Sequence, residues 1–168
     1  MKKDFSKIKL FAMDVDGTLT DGKIYIGNDG EVMKAFNAKD GLGIKLLIKK
    51  GIIPIIITGR RSKIVTRRCE EIGITVLYQG VRDKAAILKD VMEKYDCTPE
   101  QTVYIGDDMN DLPAMQTAGI TFAPADCAAS LIPYVDFVLT QKSGDAPVRE
   151  AIDLILENRL TLSDYEYI

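Results

Sequence analysis

Short apolar runs alternate with longer amphipathic stretches along most of the chain. Residues 8–13, 52–57, 75–78, 103–105, 120–122 and 137–139 are almost continuously hydrophobic, the pattern of strands buried on both faces of a parallel sheet. Between them, apolar positions recur at helical spacing over 41–50, 62–72, 84–95, 110–118 and 148–157. This βαβ rhythm predicts an α/β fold, a Rossmann-like doubly wound and mostly parallel sheet with helices on both faces. One segment breaks the rhythm. Residues 23–26 and 31–36 flank Gly27-Asn28-Asp29-Gly30, whose turn chemistry predicts a β-hairpin, about 23–36, inserted after the first strand. Residues 160–168 have no strong pattern and read as a mobile or partner-docked tail.

Length fits a single domain spanning 1–168, and no repeat or linker divides it. The 22 basic and 25 acidic residues leave a net charge of −3, so there is no basic face for nucleic acid. The opening Met1-Lys2-Lys3-Asp4 and the short run after it do not make a signal sequence or a membrane span. Cys69, Cys97 and Cys127 are odd in number and far apart, which reads as reduced thiols and a cytoplasmic protein. None has an Arg six positions later, so a cysteine-phosphatase loop is excluded. The most restrictive count is the absence of histidine. It excludes a Ser-His-Asp triad, a phosphohistidine and a His-ligated zinc, and leaves acid/base work to carboxylates, Lys or Cys.

Ligands of open α/β sheets bind beyond the carboxyl ends of the strands, and those positions carry distinctive residues here. Asp14-Val15-Asp16-Gly17-Thr18 follows the first predicted strand, Thr58-Gly59-Arg60 the second, a turn leading to Lys84 the third, and Gly106-Asp107-Asp108-Met109-Asn110-Asp111 the fourth. Asp is a common cap and turn residue, but Asp14, Asp16, Asp107, Asp108 and Asp111 would crowd one rim. At ~4 Å and an effective dielectric of ~20, each like-charge contact costs on the order of 4 kcal/mol. Such a cluster calls for a cation, and oxygen donors alone favour Mg²⁺. Thr58 and the backbone N–H groups after it could hold a phosphate. Lys84 sits in a first helical turn, where the dipole disfavours a cation and a nearby anion would offset it.

In this order, Asp14-x-Asp16-Gly17-Thr18, Thr58, Lys84 and Gly106-Asp107-Asp108-x-x-Asp111 resemble the four motifs of the haloacid dehalogenase superfamily. Further similarity at Thr20-Asp21-Gly22, 36–41, Ile57 to Ser62, Arg68 to Ile74 and Tyr78-Gln79-Gly80 extends to its capless sugar-acid branch, the 3-deoxy-D-manno-octulosonate (KDO) 8-phosphate phosphatases. The resemblance implies that Asp14 attacks phosphorus and Asp16 is the acid/base. Mg²⁺ would be held by Asp14, the Asp16 carbonyl and Asp107, with Asp108 and Asp111 orienting the surroundings. Thr58 and Lys84 would bind the phosphoryl group, and Asp16, Asn37, Asp40, Gly59, Arg60, Arg68, Lys84 and Asn110 would contact the substrate. It further implies a phosphosugar acid of KDO and lipopolysaccharide biosynthesis as substrate, and a homotetramer in which a neighbouring subunit covers the site. The hairpin is the candidate contact, since a lone two-stranded ribbon with an apolar face is marginal. Spacing leaves no room for a cap domain.

Arg60 favours the eight-carbon substrate, because relatives acting on nine-carbon acids (KDN 9-phosphate, N-acylneuraminate 9-phosphate) tend to carry Glu there. The chain departs from the branch over 143–150, where Ser143-Gly144-Asp145-Ala146-Pro147-Val148-Arg149-Glu150 replaces a pattern of Gly-Gly-x-Gly-Ala-Val-Arg-Glu. Two readings of another class stand beside the phosphatase. A receiver-like domain shares clustered Asp, Thr and Lys, but would not place a second acidic cluster after them. A non-catalytic partner module of a sugar-acid activating enzyme would not need Asp14, Asp16, Thr58, Lys84 and Asp107 intact.

Overall fold

A computed structural model describes residues 3–166; Met1, Lys2 and the last two positions of the predicted tail lie outside the described residues. Its main sheet has six strands: β1 (Leu10–Met13), β4 (Ile53–Thr58), β5 (Val76–Gln79), β6 (Thr102–Ile105), β7 (Ile120–Ala123) and β8 (Phe137–Val138). They are ordered β5-β4-β1-β6-β7-β8, and every pairing is parallel. The chain winds outward from β1 in both directions, which makes β1 the switch point and opens a crevice at its carboxyl end.

Period-2 alternation divides the core. Phe11, Met13, Ile56, Val103, Ile105 and Phe122 face α1 (Ala38–Lys49), α2 (Lys63–Ile72) and α5 (Pro147–Ile155). Leu10, Ala12, Ile55, Ile57, Tyr104 and Ala123 face α3 (Lys84–Lys94) and α4 (Leu112–Met115). All four residues of β1 are buried, as are all four of β6; this two-sided burial is why their sequence reads as apolar without alternation.

The hairpin forms a separate two-stranded sheet of β2 (Tyr25–Gly27) and β3 (Gly30–Met33). Asn28-Asp29 turns it, and Gly30 at φ +109° takes a backbone that side chains disfavour. It is shorter than the predicted 23–36. Helix α1 starts three residues before the predicted Gly41, because the Asn37 side chain accepts from Lys39 N–H at 2.9 Å and caps it there. The predicted helix 110–118 shrinks to four residues, since the Asp111 carboxylate accepts from the loop N–H groups of Asp107 and Asp108 and holds the preceding turn out of helical repeat. The tail, read from the sequence as mobile or partner-docked, makes contacts within its own chain at Asp164: Lys49 Nζ donates to the Asp164 carbonyl at 2.9 Å, and Lys50 pairs with the Asp164 carboxylate at 2.8 Å. Between β1 and β4 the described residues contain only the hairpin and α1, and no cap domain.

Candidate active site

Asp14 is the first residue beyond β1, its N–H donating to the Ile105 carbonyl at 3.1 Å. It is thereby fixed between two central strands and buried at the crevice floor. Its Oδ2 receives Lys84 Nζ at 2.8 Å, while Oδ1 has no hydrogen-bond partner. Lys84 opens α3, capped by Asp83, which accepts from Ala86 N–H at 2.9 Å. The same ammonium reaches Asp111 Oδ1 at 2.7 Å, so one cation ties two carboxylates together. Burial would lower the Lys84 pKa, but Asp14 and Asp111 outweigh it and the net direction is upward.

Asp111 is fully buried and fully engaged. Oδ1 also accepts from the Tyr104 hydroxyl at 2.8 Å, and Oδ2 accepts from Asp107 N–H at 3.1 Å. It therefore builds the loop rather than facing the crevice. Gly106 permits this, because a Cβ there would lie 2.4 Å from Asp111 Cγ. Gly17 plays the same part on the facing turn: it sits at φ +85°, and a Cβ would fall 2.0 Å from Asp107 Oδ2. Any side chain at Gly17 would displace the Asp107 carboxylate.

Oxygens of Asp14, Asp107 and Asp111 lie within 4.8 Å of one another. Burial, followed by the Asp111 charge, raises Asp14 to about 6. Burial, then Asp111, Asp14 and Asp108, raises Asp107 to about 7. A hard divalent cation would relieve both. With Asp111 occupied by its own hydrogen bonds, the free donors are the orphaned Asp14 Oδ1 and Asp107, an all-oxygen set that fits Mg²⁺.

These groups line a cleft of about 200 Å³ with Asp16, Thr58, Gly59, Arg60, Asp108 and Asn110. Thr58 ends β4 and is buried. Asp108 Oδ1 accepts from Met109 N–H at 2.6 Å and its carbonyl accepts from Asp111 N–H at 2.9 Å, so it braces its own loop. Asp16 carries Lys34 on Oδ1 and has Arg60 Nε 3.7 Å from Oδ2.

Asn37, Asp40 and Arg68 are not brought to this cleft. They meet instead in an apolar depression with Leu19, Phe36 and Ile44. Asn37 Nδ2 donates to the Gly144 carbonyl at 3.2 Å, and Asp40 Oδ1 accepts from Arg149 N–H at 2.7 Å, satisfying the first turn of α5. Arg68 lies 5.8 Å over the Phe36 ring and 3.5 Å from Glu71. Sequence reasoning missed Tyr104, which looks like one more apolar strand residue. It also missed Lys34 and Glu31, whose hairpin position gave no sign that they reach the crevice.

Residues 73–152 match the family model for haloacid dehalogenase-like hydrolases. The 3-deoxy-D-manno-octulosonate 8-phosphate phosphatase of Escherichia coli K12 is 46% identical over 149 residues, covering 89% of this chain and 79% of that protein. The chain belongs to the KDO 8-phosphate phosphatase family. The Yersinia pestis phosphatase structure superimposes with a TM-score of 0.88 at 46% identity, covering 90% of this chain and 82% of the other. A family member from Moraxella catarrhalis, solved with a magnesium ion, a phosphate ion and KDO, gives 0.87 at 41% identity, with 90% and 87% covered.

Proposed function

We propose that the protein is a Mg²⁺-dependent phosphomonoesterase that hydrolyses a phosphorylated keto-deoxy sugar acid, KDO 8-phosphate, to KDO and phosphate. The observation that carries this is Asp14: buried at the cleft floor, gripped by Lys84 on one oxygen and left without a partner on the other. An unpaired buried carboxylate oxygen is costly, and a nucleophile facing phosphorus is a use for it. Its 46% identical relatives act on this substrate by name, and the M. catarrhalis relative was solved with magnesium, phosphate and KDO.

Asp14 attacks phosphorus as the ester bond breaks, giving an aspartyl-phosphate, and Asp16 gives its proton to the departing sugar oxygen. Water then attacks phosphorus, passes a proton to Asp16, and frees Asp14 and inorganic phosphate. Lys84 and Thr58 steady the transferring oxygens. Asp14, Asp107 and the Asp16 carbonyl would hold the magnesium, which when bound supplies charge neutralisation at the phosphoryl group. Arg60, half-exposed at the cleft rim, suits the substrate carboxylate.

Two further readings belong here. The hairpin exposes Ile26 (72%) and Val32 (61%), apolar side chains on its two faces that support packing against a second copy and a tetrameric assembly. Three free thiols support the cytoplasm as its place, and no helix of the described residues is long and apolar enough to cross a membrane.

Phosphate release from KDO 8-phosphate, KDN 9-phosphate and N-acylneuraminate 9-phosphate, with and without Mg²⁺, tests the assignment. Preference for the eight-carbon acid and a fall of at least ~10⁴-fold in Asp14→Asn are expected, given the acceleration this reaction demands. Preference for a nine-carbon acid would replace the substrate, and full activity in Asp14→Asn would sink the mechanism. Light scattering of Ile26→Glu/Val32→Glu against the parent tests the assembly; a monomeric parent refutes it.

A further inference from the structure

Lys34, one residue past β3, has a side chain only 2% exposed although it follows an exposed hairpin. An ammonium at that depth needs partners. It has two: Asp16 Oδ1 and, at 3.1 Å, Glu31 Oε1. Glu31 in turn accepts from the hydroxyl of Ser62, the α2 cap, whose Oγ takes Val65 N–H at 3.3 Å and whose own N–H donates to Gln79 at 2.7 Å. A chain of polar contacts thus runs from the start of α2 through the hairpin to the Asp16 carboxylate. The only other cation recorded at Asp16 among the described residues is Arg60, 47% exposed with Nε 3.7 Å away. That separation is outside hydrogen-bond range. Lys34 is therefore the group that fixes the carboxylate's torsions. Because Glu31 sits on the same ammonium, the pair is nearly neutral, and what Asp16 receives is mainly a directed hydrogen bond.

We propose that Lys34 is a positioning residue for hydrolysis: it holds the Asp16 carboxyl where its proton reaches the ester oxygen, and Glu31 and Ser62 hold Lys34. This rests on Asp16 as the acid/base. In the step concerned, the phosphorus–oxygen bond of the ester breaks, its electron pair stays on the sugar oxygen, and that oxygen takes the Asp16 proton while Asp14 bonds to phosphorus. A carboxyl displaced by about an ångström loses on the order of 10²-fold in such a transfer. The hairpin then serves its own subunit's chemistry, whatever it does between subunits.

The test compares Lys34→Met, Lys34→Arg, Glu31→Gln and Asp16→Asn on KDO 8-phosphate, whose alkoxide must be protonated to leave, and on p-nitrophenyl phosphate, whose phenolate need not be. The ratio kcat/KM reports the steps through first product release. Lys34→Met is expected to lower it roughly 10²-fold on the sugar phosphate with little change in KM, and only a few-fold on the aryl ester. Lys34→Arg should restore most of the loss. Glu31→Gln should give a smaller loss with the same substrate dependence, and it carries the test if Lys34→Met does not fold. Equal losses on both substrates, or a raised KM at unchanged kcat, would overturn the proposal, the first pointing to a merely structural hairpin and the second to a substrate contact. If Asp16→Asn itself fails to distinguish the two substrates, the acid/base reading falls and takes Lys34 with it. If Asp16→Asn distinguishes them and Lys34→Met does not, only the Lys34 proposal falls.

Discussion

At Ala146 the backbone turns through φ +69°, a left-handed conformation in which an L side chain crowds the following carbonyl oxygen. The family's pattern has glycine at this place, and Pro147 follows it here as the first residue of α5. Relieving the crowding is worth ~1–2 kcal/mol, against ~0.4–1 kcal/mol for the added freedom of the unfolded chain. Ala146→Gly is therefore expected to gain on the order of 0.5–1 kcal/mol, raising the thermal midpoint by about 2 °C; a lower midpoint would show that neighbouring contacts, not φ, set the local energy. Lys84 presents the opposite case. Its ammonium sits between Asp14 and Asp111, with side chains 3%, 7% and 0% exposed, so Lys84→Met leaves buried carboxylates without their cation. Removing one partner of a buried pair costs ~3–5 kcal/mol. Urea denaturation in EDTA should show a loss of that order, and Mg²⁺ should restore part of it by serving Asp14 and Asp107. A Lys84→Met loss unaffected by Mg²⁺ would argue against these two as the ligands.

Between elements, the packing of α1 against α5 depends on a buried charge. Asp40 supplies Oδ1 to Arg149 N–H but leaves Oδ2 buried without a partner. Burial raises its pKa to about 7, more than Arg149 N–H and the charges of Arg68 and Arg149 lower it. The folded state thus holds this proton more tightly than the unfolded chain does. Its contribution to stability is complete below about pH 4 and is lost as pH rises through about 7. Asp40→Asn keeps the acceptor and removes the charge. It should be more stable than the parent at pH 8 by on the order of 2–4 kcal/mol, with the gap closing toward pH 4, whereas Asp40→Ala, which relieves the same charge but loses the acceptor, should be ~1–2 kcal/mol less stable than Asp40→Asn. An Asp40→Asn variant less stable than the parent at pH 8 would mean that the fold stabilises the charged carboxylate and that burial does not raise its pKa. Asp40 also marks the limit of what the chain discloses. The strands and most helices were legible because burial on two faces and helical periodicity write themselves into apolar spacing. Asp14, Thr58, Lys84 and Asp107 were legible because they stand at strand ends or a helix start, where the fold delivers them to one rim. Asn37, Asp40 and Arg68 lie on helices or their caps, where spacing does not say which neighbour a side chain meets. Their convergence on a pocket away from the cleft is set by how α1, α2 and α5 pack. Lys34 and Glu31 were hidden for the same reason: only the fold of the hairpin brings them to Asp16.

For the molecule as a whole, a net charge of −3 conceals how unevenly its acidic groups are placed. Asp14, raised to about 6, and Asp107, raised to about 7, lie with Asp111 around one lysine. In the metal-free protein both bind protons more tightly folded than unfolded, so each adds stability below about pH 4 that is lost as pH rises through 6 to 7. Magnesium needs the same oxygens deprotonated, so its binding is opposed by protons and releases them. The two ligands therefore act in opposite pH ranges. Without metal, the thermal midpoint should fall between pH 5 and pH 8; with Mg²⁺ at ~100 times its dissociation constant, about 2.7 kcal/mol is returned, roughly 5–10 °C for a chain of this size. That return should be largest at pH 8 and shrink toward pH 5. Because Asp40 titrates over the same range, the measurement belongs in the Asp40→Asn background, where the remaining slope comes chiefly from the cleft. Asp107→Asn added to that background should flatten the metal-free slope and abolish most of the Mg²⁺ shift together. A shift equal at pH 5 and pH 8 would place the magnesium away from Asp14 and Asp107, and a flattened slope with the shift intact would leave Asp107 titrating but not ligating.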